Sequence, residues 1–242
     1  MEKFINKCIS QGLYCFQTFM EKFFKADGGV LVFHEVYQDE KYVKNKQYAI
    51  SKESFKKFIE GINRSGGEIT HIGKAISEKK RKCFAISFDD GYDNVCENAL
   101  PYLEKWGIPY TLFLTTDFIE TEGYITRERI LQLKSSKLCE IGGHTKTHPW
   151  LAKLNGKETC RELGESKVFL ETMLDNDVRY LAYPYGSLNA VKLYTIKAAK
   201  WGGYLYAFST FNVSNRFFNY KYFYPRITVT ENNWEVLLER LK

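Results

Sequence analysis

The chain has 242 residues, of which 44% are hydrophobic and 16% aromatic. This composition supplies a full hydrophobic core and excludes an intrinsically disordered chain. The formal net charge of +6 favours anionic surfaces, but no dense basic run accompanies a nucleic-acid motif, so we expect no nucleic-acid partner. A run of about 18 apolar residues, which a transmembrane helix needs, does not occur in the sequence.

The cysteines and the first residues indicate a cellular location. The six cysteines are Cys8, Cys15, Cys83, Cys96, Cys139 and Cys160. None of them forms a Cys-x-x-Cys pair, so we expect free thiols in a reducing compartment. Residues 1–25 lack the apolar core and cleavage site of a secretory signal. We therefore predict a cytoplasmic protein, while the sequence does not indicate the oligomeric state.

Residues 4–24 have the pattern of an amphipathic helix. Their apolar residues recur at spacings of three and four, with lysines and glutamates between them. We predict that residues 1–27 form a helix packed on the domain and that residues 28–242 form a single domain. Because lysine and phenylalanine are both abundant in this helix, peripheral contact with a membrane surface is the alternative function.

From residue 28 onwards, predicted strands and helices alternate. The predicted strands are residues 29–36, 68–72, 82–88, 110–115, 138–141, 180–183, 204–209 and 224–229. The predicted helices are residues 51–62, 95–106, 127–135, 156–174, 190–201 and 233–241. Strands joined through helices pair in parallel. About seven such units predict an α/β fold with a barrel of parallel strands rather than an open sheet.

The polar residues with catalytic potential lie at predicted strand ends, where α/β barrels place their working residues. Asp89 and Asp90 follow one strand, and two adjacent carboxylates are costly unless a cation or a proton is present. His144 and His148 are four residues apart after another strand. One carboxylate and two imidazoles suit a divalent metal ion, zinc first, with Co²⁺, Ni²⁺ or Fe²⁺ as alternatives. The second aspartate could then take a proton from water.

Three motifs carry a family resemblance. Residues 87–91 read Ser-Phe-Asp-Asp-Gly, residues 144–148 read His-Thr-Lys-Thr-His, and residues 182–186 read Ala-Tyr-Pro-Tyr-Gly. In order and spacing they resemble the motifs of the polysaccharide deacetylases, carbohydrate esterase family 4, which share the NodB-homology domain. The resemblance covers about residues 30–229. It implies a distorted, incomplete (β/α) barrel and hydrolysis of N-acetyl groups on N-acetylhexosamines, with release of acetate.

The resemblance also implies roles for individual residues. Asp89 would be the general base, and Asp90, His144 and His148 would bind the metal ion. The backbone N–H of Tyr185 would stabilise the oxyanion of the tetrahedral intermediate. An N-acetylated sugar or glycan, acted on during polysaccharide biosynthesis, would be the substrate.

The sequence departs from the family at the general acid. Most members have a late histidine that protonates the leaving amine, but no histidine follows His148 here. Residues 33–34, Phe-His, resemble the start of the poly-N-acetylglucosamine deacetylase branch, in which an early histidine takes that part. We therefore expect His34 to be the general acid and interpret His71 as structural.

The third motif also departs from the family, because Leu181 stands where many relatives have an arginine that tunes the base. Arg179 and Arg226 are the candidates for the missing charge, and a surface salt bridge is the alternative for Arg226. Four aromatic residues could either stack on sugar rings or belong to the core. They are Tyr92, Trp150, Tyr183 and Tyr185.

Two other functions remain open at this stage. The first is a catalytically silent carbohydrate-binding domain on the same fold, and the second is a hydrolase of non-sugar amide bonds. Both are disfavoured because Asp89, Asp90, His144 and His148 are all present. A silent domain has no need of the base, and relatives that act on other amides tend to lack one of these residues.

Overall fold

The computed structural model describes residues 28–78, 80–213 and 219–240, together with the single positions Cys15, Phe16 and Phe19. The amphipathic helix predicted for residues 1–27 lies almost wholly outside the described residues. Its packing and its contact with a membrane therefore stay predictions, as does the cytoplasmic location. Within the described ranges, no helix combines the length and the apolar character that crossing a bilayer requires.

Strands of the described residues form one large sheet and one small one. The strands are β1 (Gly29–Phe33), β2 (Glu35–Tyr37), β3 (Ala49–Ser51), β4 (Glu68–Ile69), β5 (Cys83–Phe88), β6 (Tyr110–Leu114), β7 (Cys139–Gly143), β8 (Tyr180–Ala182), β9 (Tyr206–Phe208) and β10 (Arg226–Thr228). The large sheet has the order β10-β1-β5-β6-β7-β8-β9, and β4 pairs with the start of β5. Its pairings are all parallel.

The large sheet nearly closes into a barrel. A parallel bridge between Phe208 and Tyr224 links the end of β9 to the residues that precede β10. The two edges of the sheet are therefore neighbours. This architecture confirms the predicted α/β class and the distorted barrel of about seven parallel strands.

Helices cover the outside of the sheet. They are α1 (Lys52–Arg64), α2 (Ile72–Glu78), α3 (Asp93–Asn98), α4 (Leu100–Lys105), α5 (Arg127–Lys134), α6 (Gly156–Leu174), α7 (Leu193–Trp201) and α8 (Trp234–Glu239). Alternate strand residues such as Phe84 and Ile86 belong to the larger apolar core. The intervening residues, such as Ala85 and Phe113, belong to a smaller cluster inside the barrel. Strands buried on both faces are typical of a parallel sheet enclosed by helices.

Three predicted elements differ from the observed ones. The strand predicted at residues 29–36 is interrupted at His34, because β1 pairs with β5 whereas β2 pairs with β3 in the small sheet. The helix predicted at residues 95–106 is two helices, because Pro101 has no N–H to continue α3 and lies in the first turn of α4. His71 is not within a strand: its carbonyl accepts the N–H of Ala75 at the start of α2.

Candidate active site

Asp89 points into the barrel because it continues one face of β5. Alternate residues of a strand face the same side, so Ala85, Ser87 and Asp89 share the interior face. The N–H of Asp89 donates to the carbonyl of Phe33 at 3.0 Å, which extends the pairing of β1 and β5 by one residue. The base predicted from the sequence is therefore a buried side chain with a position set by the sheet.

Asp90 leaves the strand through a tight turn. Both Asp90 and the next residue, Gly91, have left-handed backbone conformations, with φ of 70° and 88°. The N–H of Gly91 donates to the carbonyl of Asp89 at 2.9 Å. Because of this turn, the two adjacent carboxylates converge on one end of the barrel instead of lying on opposite faces of the sheet.

Asp90 meets both histidines of the second motif. Its Oδ1 atom lies 3.2 Å from Nε2 of His144 and 3.1 Å from Nε2 of His148. Potential ligand atoms of these three residues all lie within 4.8 Å of one another. Burial raises the pKa of Asp90, but the two histidines outweigh that effect and hold it well below its ordinary value.

The donor set fits a metal ion. Oδ1 of Asp90 is buried and makes no hydrogen bond of acceptable geometry with the described residues, although two ring nitrogens lie beside it. A buried, unsatisfied carboxylate oxygen is costly unless a cation takes that place. One carboxylate and two imidazoles with space for further ligands are typical of catalytic zinc sites. The residues present therefore fit the divalent metal ion that the sequence predicts.

The ring of His144 is oriented by the strand that follows it in the sheet. Its Nδ1 atom lies 2.8 Å from the carbonyl oxygen of Ala182 at the end of β8. When Nδ1 carries the proton, Nε2 is left with its lone pair towards Asp90 and the candidate metal position. Burial lowers the pKa of His144, but the charges of Asp89 and Asp90 outweigh it and raise the pKa above the ordinary value.

The loop that carries His148 is fixed by a residue that the sequence did not reveal. Glu162 in α6 accepts hydrogen bonds from the N–H groups of Lys146 and Thr147 at 3.1 and 2.9 Å. It also accepts from the hydroxyl of Thr147 at 2.9 Å. The N–H of His148 donates to Oγ1 of Thr145 at 3.1 Å. Side chains thus accept the hydrogen bonds of the N–H groups in this irregular loop, and both histidines are held on one side of the turn.

Arg226 forms a two-pronged ion pair with Asp89. Its NH1 and NH2 groups donate to Oδ1 and Oδ2 at 2.7 and 2.6 Å. The remaining Nε–H donates to the carbonyl of Ser209 at 3.1 Å. Burial raises the pKa of Asp89, but Arg226, His144 and His34 together outweigh it, Arg226 most of all, so the pKa lies below its ordinary value. Asp89 is therefore ionised at neutral pH, as a general base must be.

The alternative roles of the arginines are decided by burial. Arg226 is 0% exposed, which excludes the surface salt bridge considered for it. Arg179 pairs with Glu140 at 2.6 Å near the start of β7 and β8, away from the carboxyl ends of the strands. It lines a cavity there that also contains His71 and Cys139. Arg179 and His71 thus lie outside the site.

His34 lies where β1 ends, beside the two aspartates. The charges of Asp90 and Asp89 favour its protonated form, but burial dominates and lowers the pKa of His34. Its Nδ1 atom is buried and finds no hydrogen-bond partner among the described residues. One face of the ring stacks on Tyr48, with centroids 4.9 Å apart. The structure thus brings His34 to the same end of the barrel as Asp89 and Asp90.

Of the four aromatic candidates, Tyr92 and Tyr183 are buried, whereas Trp150 and Tyr185 are accessible. Tyr183 is 0% exposed and its hydroxyl donates to the carbonyl of Tyr222, so it lies in the core, the second of the two alternatives considered for it. Tyr185 is 50% exposed, with φ of 61°. Its ring lies between His148 and Trp150, at centroid distances of 5.0 and 4.7 Å. Tyr185 and Trp150 therefore form an accessible aromatic rim next to the candidate metal position.

The chain is similar to known proteins in sequence and in fold. The family described as polysaccharide deacetylase matches residues 76–204. A poly-beta-1,6-N-acetyl-D-glucosamine N-deacetylase of Staphylococcus aureus is 27% identical over 213 residues, which cover 81% of this chain and 72% of the relative.

Two solved structures are similar in fold. IcaB from Ammonifex degensii matches with a TM-score of 0.74 at 22% identity, over 89% of this chain and 97% of that one. The Streptococcus pyogenes deacetylase PplD, in complex with acetate, matches with a TM-score of 0.71 at 19% identity, over 88% and 97%. At these identities the likeness establishes a shared barrel architecture.

Proposed function

We infer the function from family membership: the chain belongs to the polysaccharide deacetylase family, whose model matches slightly more than half of it, and is therefore a hydrolase. From this membership we propose that it removes N-acetyl groups from N-acetylhexosamine units of a glycan, or of a lipid- or nucleotide-linked precursor, and releases acetate. The Staphylococcus aureus relative is named for poly-beta-1,6-N-acetyl-D-glucosamine. A β-1,6-linked N-acetylglucosamine oligomer is accordingly the first substrate to test.

The convergence of Asp90, His144 and His148 beside an ionised Asp89 carries this proposal. These three ligands would hold a divalent ion, and the mixed carboxylate and imidazole set favours zinc. When bound, such an ion supplies Lewis acidity, which polarises a carbonyl oxygen and lowers the pKa of water. Asp89 lies next to this position, since its Oδ2 is 4.0 Å from Nε2 of His144.

The chain's own residues divide the remaining work. Asp89 accepts a proton from the attacking water, whose oxygen forms a bond to the acetyl carbon. The backbone N–H of Tyr185 donates to the oxygen that becomes negative, a contact typically worth about 10²–10³ in rate. The C–N bond then breaks, and the protonated form of His34, which burial makes the minor form at neutral pH, gives its proton to the leaving amine. The products are acetate and the free amino sugar. Asp89 is left protonated and His34 deprotonated, and proton exchange with solvent restores both residues.

The proposal is tested by acetate release from a panel of N-acetylated oligosaccharides and sugar nucleotides. We expect activity that a chelator abolishes and Zn²⁺ restores. Asp89→Asn should lower kcat by about 10²–10⁴ while the protein still binds zinc, because it removes the base and no ligand. Asp90→Asn should lower both activity and zinc content. Asp117→Asn, at an exposed position in the loop after β6, is the matched control and should behave as wild type.

The outcomes separate the alternatives. Tight binding of the oligosaccharides without acetate release, in the zinc-loaded protein, would indicate a carbohydrate-binding domain. Release of a carboxylic acid from simple amides but from no sugar would indicate a non-sugar amidase. Activity that survives both the chelator and Asp89→Asn would refute the proposed chemistry itself.

A further inference from the structure

His34 lies at a break in regular structure, so its ring needs support from elsewhere. The residue falls between β1, which belongs to the barrel, and β2, which belongs to the small sheet. Its buried Nδ1 atom has no hydrogen-bond partner among the described residues. A histidine without such a bond is not oriented by the means that usually fix one. Contacts with its neighbours must therefore determine where the ring points.

The next residue, Glu35, is a buried carboxylate that joins three segments. Its Oε2 accepts from the N–H of Lys44 at 3.0 Å and from Nδ2 of Asn94 at 2.8 Å. Its Oε1 accepts from the N–H of Asn45 at 2.6 Å. Asn94 lies in α3, directly after the turn that carries Asp90, and its Oδ1 accepts the N–H of Val36 at 3.3 Å. Glu35 thus connects β2 to the helix that follows the catalytic aspartates and to the segment of residues 44–45.

That segment delivers the ring that covers His34. Residues Lys46–Tyr48 form one 3-10 turn directly after Asn45, and β3 then pairs with β2 in the register Glu35 to Ala49. The ring of Tyr48 consequently lies over His34 at 4.9 Å with an interplanar angle of 29°. The face of the imidazole is therefore held by an aromatic contact, and Glu35 holds the segment that makes the contact.

We infer that Glu35 and Tyr48 are positioning residues for catalysis: Tyr48 holds the ring of His34 by stacking, and Glu35 fixes the segment of Tyr48 relative to Asp89 and Asp90. The inference rests on the proposed function, in which His34 protonates the leaving amine. Neither residue touches the reacting atoms. Both act through the distance and angle between His34 and the amine, to which proton transfer is sensitive.

Kinetics of three variants at Tyr48 and its surroundings test the inference on a substrate that the wild type deacetylates. Tyr48→Ala should lower kcat by on the order of tenfold with KM changed by less than about twofold, because orientation of the acid and not binding is lost. Tyr48→Phe keeps the stacked ring and should restore the wild-type rate. Tyr42→Ala is the matched control and should have no effect, because Tyr42 lies in the same connection between β2 and β3 but is 71% exposed.

A double-mutant cycle tests whether Tyr48 acts through His34. In a His34→Ala background, Tyr48→Ala should cause no further loss of kcat, since the two residues would work as one unit. Glu35→Gln replaces one of the two accepting oxygens by an NH2 donor, so it cannot accept all three N–H groups. It should lower kcat by about 10–100-fold with KM again little changed. Circular dichroism identifies a Glu35→Gln variant that fails to fold, and the Tyr48 variants then decide the matter.

A readout independent of activity is the side-chain ¹H–¹⁵N NMR spectrum of the metal-free protein. With only four histidines in the chain, the signals of His34 can be assigned by comparison with His34→Ala. They should shift in Tyr48→Ala and in Glu35→Gln, and stay in place in Tyr48→Phe and Tyr42→Ala. An active wild type whose kcat and His34 signals are unchanged by Tyr48→Ala would overturn the inference and leave the proposed function intact. A wild type inactive on every substrate would instead refute the proposed function.

Discussion

Replacing Arg226 by methionine should lower stability, and the loss should grow as the pH rises. The activity relative to wild type should instead recover as the pH rises. The side chain is 0% exposed and donates two hydrogen bonds to Asp89, at 2.7 and 2.6 Å, and one to Ser209. Arg226→Met keeps much of the volume that lies against Phe113 and Phe208. It removes the charge, however, and leaves a buried carboxylate without its cation.

The structure sets the size of the stability effect. Unit charges about 4 Å apart attract by about 4 kcal/mol at an effective dielectric constant of about 20. Removal of one partner from a buried pair costs about 3–5 kcal/mol, which lowers Tm by roughly 6–20 °C in a chain of this length. Arg179→Met breaks an ion pair in which the arginine side chain is 56% exposed. This matched control should cost about 0–1 kcal/mol.

The pH dependence follows from the sign of the pKa change. In the wild type, Arg226 holds the pKa of Asp89 below its ordinary value, so this pair's stabilisation is present above that value and is lost as the pH falls. Arg226→Met removes the largest of the charges that lower the pKa of Asp89. Burial, which raises the pKa, is then opposed only by His144 and His34, so the pKa of Asp89 rises relative to wild type. The folded variant then holds a proton at a pH at which the folded wild type has already released it, so its stability relative to wild type decreases as the pH rises. The proposed activity needs the ionised carboxylate of Asp89. The activity of the variant should therefore approach the wild-type value as the pH rises.

Two measurements check this reasoning. Thermal unfolding from pH 5 to pH 9 should show a stability deficit that widens with pH. The ratio of kcat/KM between variant and wild type should rise about tenfold per pH unit until Asp89 ionises. Zinc content should be unchanged, because no ligand is altered. A Tm loss equal to that of Arg179→Met, or a kcat/KM ratio independent of pH, would refute the role of Arg226 in keeping Asp89 ionised.

Two further predictions concern the backbone turn and the thiols. Gly91→Ala should lower stability by about 1–2 kcal/mol, because the residue has a φ of 88°. The added Cβ, at 2.9 Å from Leu114, should increase that loss, and the displaced turn should weaken zinc binding. Gly66→Ala, with φ of 76° and open space around the new Cβ, should lower stability alone, as calorimetry and zinc titration would show; equal zinc affinities would contradict a special role for the Gly91 turn. Burial raises the pKa of the Cys96 and Cys139 thiols to about 12. At pH 8, iodoacetamide should therefore label exposed Cys160 in the native protein much faster than buried Cys96 and half-buried Cys139; equal labelling rates in peptide mass spectrometry would contradict the raised pKa of these two thiols.

Local patterns in the sequence were sufficient for the fold class and for the main polar groups of the candidate site. The alternation of strands and helices predicts parallel pairing, and parallel pairing brings the carboxyl ends of strands to one end of a barrel. Asp89, Asp90 and His144 each follow such an end, so their convergence followed from the chain order alone. The period of two within β5 also places Asp89 on the interior face.

The tertiary structure decided which distant residues complete the site. Arg226 lies 137 positions after Asp89, and it reaches the carboxylate because β10 pairs with β1 and thereby lies near β5. Arg179 was the other candidate in the sequence, yet it lies at the other end of the sheet. Similarly, the sequence could not show that Glu162 fixes the loop of His148 or that Glu35 holds the segment of Tyr48. The physical reason is that the spacing of apolar residues and the turn residues determine structure only over a few neighbouring positions. Ion pairs and hydrogen bonds between side chains and the backbone join distant positions, so they depend on how the barrel closes.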